Sequence, residues 1–139
     1  MKSIVSVLLF FTLSFNMSAQ CSTSNCSSNL GGDYTYIKTI YVDQTKLQPA
    51  PNQISYLFSK GSTYKILCCD QEIKGSRLVV NVYDRSKNLI ATNKQKKKVY
   101  PSIEYPCSAT GMYYIESFYE DSKDPCGVNV IGFMKSPGM

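Results

Sequence analysis

The chain has 139 residues, with 15 basic and 10 acidic side chains, a net charge of +5, six cysteines and no histidine. The absence of histidine excludes Ser-His and Cys-His nucleophile pairs and the commonest zinc ligand. The positive charge is smaller than that of a dedicated nucleic-acid-binding protein, so we expect no nucleic-acid partner.

The first 19 residues have the features of a secretory signal peptide. Lys2 precedes the apolar run "IVSVLLFFTL", and small residues lead to Ala19, after which we predict cleavage. The run is about half the roughly 20 residues that a membrane-spanning helix needs. Removing residues 1–19 leaves 14 basic and 10 acidic residues, a net charge of +4. The sequence therefore predicts a secreted or periplasmic protein with no membrane span.

Residues 20–32, "QCSTSNCSSNLGG", are small and polar and show no periodicity. This composition predicts a flexible leader that is held in place only if its cysteines are bonded.

Residues 33–139 contain short runs rich in tyrosine, isoleucine, valine and threonine, separated by turn residues. A repeat of about ten residues per strand and turn indicates antiparallel strands in a single domain. We therefore predict an all-β protein, an antiparallel jelly-roll-like β-sandwich of about eight strands. The candidate strands are 34–42, 54–59, 63–69, 77–83, 89–92, 99–104, 112–119 and 128–133.

Alternation along two candidate strands assigns their faces, because successive side chains of a strand point to opposite sides. The sets without a charge are predicted to face the core: Tyr113, Ile115, Ser117 and Tyr119 in one strand, and Tyr64, Ile66 and Cys68 in the other. Lys65, Leu67 and Cys69 should then face outward or lie at the rim.

Five of the six cysteines are candidates for disulfide bonds, because an exported protein meets an oxidising compartment. They are Cys21, Cys26, Cys69, Cys107 and Cys126. If consecutive strands run up and down, Cys69 and Cys126 lie at the same end of the sandwich, so we prefer a bond between them. Cys107 lies at the other end, and its partner is Cys21, Cys26, Cys68 or none. Cys68 itself packs as a small apolar residue.

Carboxylates offer two further interpretations. A hydrolase would need two acids facing each other across a cleft, but most candidates lie in turns: Glu72, Asp84, Glu104, Glu116, Glu120, Asp121 and Asp124. The segment "EDSKDPCG" has three acids that calcium could use, but it matches no defined calcium loop. We expect no metal, no cofactor and no catalytic residue.

The segment "NKQKKKVY" is the candidate binding feature. Lys94, Lys96, Lys97 and Lys98 are followed by Tyr100, so the segment would attract an anionic polymer or headgroup surface. The commoner interpretation is a solvated hairpin loop whose lysines discourage edge pairing. Tyr34, Tyr36 and Tyr41 are further candidates, as stacking platforms for sugars.

The motifs "VYD…NLIATN", "YPSIEYPC.ATG.YYI" and "CGVNVIGF", between Gly61 and Phe133, resemble a group of small exported β-sandwich proteins of Gram-negative bacteria. That group is itself distantly similar to bacterial pre-peptidase C-terminal domains. The resemblance implies structural cysteines at Cys69, Cys107 and Cys126, an aliphatic residue in place of Cys68, and a non-catalytic accessory role.

The sequence thus favours a secreted or periplasmic module that binds an unknown protein or envelope polysaccharide. The alternatives are a small secreted hydrolase that uses carboxylates and a structural subunit of the envelope.

Overall fold

The computed structural model describes residues 25–42, 52–70, 77–120 and 127–137. Over these residues the chain forms one short 3₁₀ helix, Cys26–Leu30, and ten strands. The strands are β1 (Thr35–Val42), β2 (Asn52–Phe58), β3 (Ser62–Asp70), β4 (Leu78–Tyr83), β5 (Leu89–Thr92), β6 (Lys94–Gln95), β7 (Lys98–Val99), β8 (Ser102–Pro106), β9 (Gly111–Tyr119) and β10 (Gly127–Lys135).

Eight of these strands form two four-stranded antiparallel sheets. The first sheet has the order β1-β10-β3-β8 and the second the order β2-β9-β4-β5. The pairs are nested along the chain, since β1 pairs with β10, β2 with β9, β3 with β8 and β4 with β5. A ribbon of nested antiparallel pairs wrapped into two facing sheets is a jelly roll. The predicted all-β, jelly-roll-like sandwich is confirmed.

The core lies between the two sheets and follows the predicted alternation. Tyr113, Ile115, Ser117 and Tyr119 of β9 are buried, as are Tyr64, Ile66 and Cys68 of β3. Phe58 joins the sheets, because its ring centroid lies 3.8 Å from that of Tyr64 in the first sheet and 4.8 Å from that of Tyr113 in the second. Such stacked aromatic pairs stabilise a core by about 0.5–1.5 kcal/mol beyond their area burial.

The outer face of the first sheet carries a second apolar cluster. Cys26 and Leu30 of the 3₁₀ helix pack there on Leu67, Val128 and Val130, all buried. Leu67 does point away from the core, as predicted, but it is covered rather than at a rim. The reason is that the 3₁₀ helix of the leader covers this face of the sheet. The alternation along β3 gives no sign of that cover.

The candidate strand 99–104 is divided in the structure. Residues 98–99 belong to a small hairpin with β6, and β8 begins at Ser102. This hairpin lies in the connection between β5 and β8. Over the described residues, β5 is an edge strand of the second sheet and β8 an edge strand of the first.

Among the described residues, the structure contains no helix that could span a lipid bilayer.

Candidate functional site

The predicted lysine-rich segment forms a two-stranded hairpin, here called the basic hairpin (Lys94–Val99). Lys94 and Gln95 pair with Val99 and Lys98, so Lys96 and Lys97 are the two turn residues. Lys96 has a φ of 58°, a value at which the first position of such a turn usually holds glycine. A non-glycine residue there costs about 1–2 kcal/mol. The hairpin thus presents a lysine at its tip at the expense of backbone strain.

The lysines of the basic hairpin are not equivalent. Lys94 Nζ donates to Glu120 Oε1, at the end of β9, so this lysine is tied to the body of the sandwich. Lys96, Lys97 and Lys98 are exposed. Lys98 Nζ lies 4.8 Å from the ring centroid of Tyr100, a cation–π distance. Three exposed lysines therefore lie together on one small hairpin, and the ammonium group of one of them lies against an aromatic ring.

Asn93 fixes the base of the basic hairpin, and the sequence interpretation missed it. Its side chain is buried, accepts a hydrogen bond from Val80 N at 2.8 Å, and donates to Leu78 O and Tyr100 O at 2.8 Å each. Asparagine is common in turns, so its type alone gave no signal of this role.

A groove of about 680 Å³ adjoins the basic hairpin, between the edge strands β5 and β8. Its walls combine apolar side chains with hydroxyl, amide and carboxylate groups. The lining residues are Leu89, Ile90, Ala91, Thr92, Asn93, Gln95, Tyr100, Ser102, Ile103 and Glu104. Asn93, Gln95 and Tyr100 belong to the hairpin or its base, so the groove and the exposed lysines form one continuous surface.

The structure corrects the preferred disulfide. Cys69 is bonded to Cys26, not to Cys126, because the 3₁₀ helix of the leader lies directly over the end of β3. Cys107 is a free, buried thiol rather than a disulfide partner, and its Sγ donates to Ala109 O at 3.1 Å. Cys21 and Cys126 lie outside the described residues.

Cys68 is a free thiol in the core, as the alternation suggested. Its Sγ accepts a hydrogen bond from Asn129 Nδ2 at 3.3 Å, and Asn93 Nδ2, whose two hydrogens are donated to carbonyl groups, lies 3.4 Å away. Burial raises the pKa of this thiol far above its usual value, and the bond from Asn129 offsets only part of that effect. A thiol that resists ionisation is a poor nucleophile, so Cys68 is a packing residue.

The candidate carboxylates do not converge. Glu104 of β8 lies on the outer face of the first sheet, 3.6 Å from Lys65 Nζ, while Glu116 of β9 lies on the outer face of the second. Glu120 is paired with Lys94. Glu72, Asp121 and Asp124 lie outside the described residues, and within those residues no three acids or cysteines are grouped to hold a metal ion.

The candidate sugar-stacking tyrosines lie on or beside β1. Tyr36 and Tyr41 are 52% and 73% exposed, and the Tyr36 hydroxyl is 3.0 Å from Thr39 Oγ1. Tyr34 instead packs against the cluster under the leader, with Lys65 Nζ 5.1 Å from its ring centroid.

Comparison of the chain with models of protein families, with characterised proteins and with solved structures finds no match.

Proposed function

We propose that the protein is a secreted or periplasmic, non-catalytic binding module whose ligand is a protein or polysaccharide of the cell envelope. The observation that carries the proposal is the continuous surface formed by the basic hairpin and the groove between β5 and β8. An open groove with a few polar groups on apolar walls is the usual form of a binding site.

Export is supported by the signal-like residues 1–19 and by the Cys26–Cys69 disulfide, since disulfides persist in oxidising compartments. The proposed relation to small exported β-sandwich proteins, and distantly to pre-peptidase C-terminal domains, agrees with this location and with an accessory role.

A non-catalytic role is supported by the chain's lack of histidine and by the position of its acids. Glu104 and Glu116 point from opposite faces of the sandwich, whereas glycoside hydrolysis needs two carboxyl groups within about 5–10 Å.

Attraction of an anionic partner follows from the charge distribution. Lys96, Lys97 and Lys98 concentrate three positive charges in one exposed turn and strand. Exposed charges act over about 10 Å at 0.1 M salt, so binding through them should weaken as salt is added.

Retention of the mature protein, starting at Gln20, on envelope fractions over a series of salt concentrations tests the proposal. We expect salt-sensitive retention that falls in the variant with Lys96, Lys97 and Lys98 replaced by serine. The matched control replaces Lys38, Lys60 and Lys135, which are also exposed, and changes the net charge equally. No retention of the wild type, or equal loss in both variants, contradicts a binding role for the hairpin.

Two other functions have their own tests. A carboxylate hydrolase would turn over glycans or esters and lose that turnover in Glu104→Gln. A structural envelope subunit would form concentration-dependent oligomers in size-exclusion chromatography.

A further inference from the structure

Strand β8 leaves part of its backbone directed away from the sheet. At one end of its pairing with β3, Cys68 N donates to Pro101 O at 2.8 Å, and at the other end Cys107 N donates to Ser62 O at 2.9 Å. Antiparallel partners exchange hydrogen bonds at every second residue. The residues of β8 that bond β3 are therefore Ile103 and Tyr105.

The N–H and C=O groups of Ser102 and Glu104 consequently point to the edge of β8 that pairs with no other strand among the described residues. Both residues line the groove. An open strand edge is a template for another extended chain, because its free donors and acceptors repeat at the spacing of a polypeptide.

The wall of the groove suits the side chains of such a strand. Ile90, Ala91 and Ile103 are half-buried and apolar, and Leu89 is 53% exposed. Alternate side chains of an added strand would pack there, while the intervening ones face solvent. By contrast, sugar rings favour open aromatic faces, and Lys98 Nζ lies over the Tyr100 ring, 4.8 Å from its centroid.

The exposed lysines of the basic hairpin favour negative charge at one end of the ligand. Ser102 begins β8 next to the basic hairpin, whose Lys96, Lys97 and Lys98 are exposed. Glu104 is the acidic residue of the groove lining, and Lys65 lies 3.6 Å from it. A strand with acidic residues at the hairpin end therefore meets three positive charges.

We propose that the groove binds an extended, acidic polypeptide segment of a partner protein, which adds to β8 as a further strand and places its acidic end on Lys96, Lys97 and Lys98. This inference rests on the proposed binding function and names its ligand class.

The probe is a synthetic ten-residue peptide in which valine and threonine alternate before three terminal glutamates, made in both chain directions because a strand can add parallel or antiparallel. Calorimetry with the mature protein should detect binding of at least one direction. Affinity should fall about tenfold in the Lys96, Lys97, Lys98 to serine variant and remain unchanged in the Lys38, Lys60, Lys135 control. A peptide ending in three lysines should not bind.

Backbone N-methylation separates strand addition from charge attraction alone. Two versions of the binding peptide carry methyl groups on alternate residues, in opposite frames, and we expect one frame to lose at least tenfold in affinity and the other to bind like the parent. Amide hydrogen exchange gives a second readout: in the free protein Ile103 and Tyr105 should be protected, and on peptide binding Ser102 and Glu104 should gain protection.

The outcomes distinguish this inference from the function on which it rests. Equal loss in both methylation frames, or unchanged exchange at Ser102 and Glu104, overturns strand addition. If envelope retention depends on the hairpin lysines but polygalacturonate binds and neither peptide does, the ligand is an acidic polysaccharide and the inference is wrong while the binding function stands. If nothing in the envelope retains the protein, the proposed function fails first.

Discussion

Asn93 and Tyr100 close a ring at the base of the basic hairpin: Tyr100 N donates to Asn93 O, and Asn93 Nδ2 donates to Tyr100 O, both at 2.8 Å. The same Asn93 side chain is bonded to Leu78 O and Val80 N of β4. One buried amide thus holds the exposed lysines to the second sheet. Presentation of the charges therefore depends on a residue that is itself buried.

Asn93→Ala should destabilise the protein strongly. The substitution leaves Val80 N, Leu78 O and Tyr100 O without their partners, and buried unpaired groups cost about 1–3 kcal/mol each. Some of these unpaired groups will bind water instead, so we expect the free energy of unfolding to fall by about 2–4 kcal/mol in urea titrations. The control is Gln95→Ala, an exposed neighbour, which should change stability by less than about 0.5 kcal/mol. Equal effects of the two substitutions would show that Asn93 anchors nothing.

The Cys26–Cys69 bond should be both detectable and stabilising. It closes a loop with a sequence separation of 43 residues, for which the chain-entropy model gives about 4 kcal/mol. The double variant Cys26→Ala, Cys69→Ala should lose a comparable free energy of unfolding relative to the oxidised wild type. Proteolysis without reduction, followed by mass spectrometry, should recover the two cysteines in one linked pair of peptides. Recovery of Cys69 linked to Cys126 instead would contradict the structure.

Leu30 and Gly132 should be energetically coupled. A Cβ placed on Gly132 would lie 2.5 Å from Leu30 Cδ2, which is closer than packed carbon atoms approach. Gly132→Ala should therefore push the leader from the outer face of the first sheet and destabilise the protein. In a Leu30→Ala background the same change should cost less, by about 1 kcal/mol or more. Additive effects in this double-mutant cycle would argue against packing of the leader on β10.

The buried thiol of Cys68 should make the protein less stable at alkaline pH. Burial raises the pKa of its thiol in the folded state, while in the unfolded chain it should titrate near about 8.5. Below that pKa the thiol is neutral in both states, so its contribution to the free energy of unfolding is fully present. Above it, the unfolded state releases a proton that the folded state keeps, so the free energy of unfolding should fall by up to about 1.4 kcal/mol per pH unit.

The control for the pH dependence is Cys68→Ala, compared with the wild type from pH 7 to 10 in urea titrations. This variant is less stable because of the cavity it creates, but the alkaline slope due to the thiol should be absent. Identical slopes in the two proteins would mean that the thiol ionises equally in both states.

Lys96→Gly should separate the charge of the hairpin tip from its conformation. Lys96 has a φ of 58°, and glycine adopts this region without strain. We expect the free energy of unfolding to rise by about 0.5–1 kcal/mol, reduced from the full strain by the entropy of glycine in the unfolded chain. The matched control, Lys97→Gly, lies outside the positive-φ region and should be neutral or destabilising. Both variants lose one charge, so both should reduce salt-sensitive retention equally.

Much of the fold could be predicted because the side chains of a β-strand alternate between its two faces, so a half-buried strand has an alternating sequence. Alternation placed Ile115 and Ile66 in the core, and apart from the divided candidate 99–104 the predicted strand boundaries lie within two residues of the observed ones. The cover on Leu67 could not be predicted in this way. It depends on a contact between the leader and β3 that residue periodicity does not encode, and the disulfide from Cys26 belongs to the same contact.

The candidate site was predictable only in part. The run of lysines is visible in the sequence, which predicted an exposed hairpin loop there. The pairing of Lys94 and Gln95 with Val99 and Lys98 in a separate two-stranded hairpin was not predicted. The groove could not be predicted from the sequence. Ile90 and Ile103 lie on edge strands of two separate sheets, and only the tertiary fold brings them to the same groove. The anchoring role of Asn93 likewise depends on Leu78 and Val80, which lie 15 and 13 residues earlier in the chain.

The nested pairing has a consequence for how the protein is made. β10 is the final strand of the described chain, yet it lies inside the first sheet, with β1 on one side and β3 on the other, so that Thr35 is opposite Phe133. No nascent chain that stops short of β10 can complete that sheet, and pairing over such distances is slow, typically milliseconds to seconds. The first sheet can therefore close only after β10 has been synthesised, and β1, which pairs with β10 alone among the described strands, stays unpaired until then.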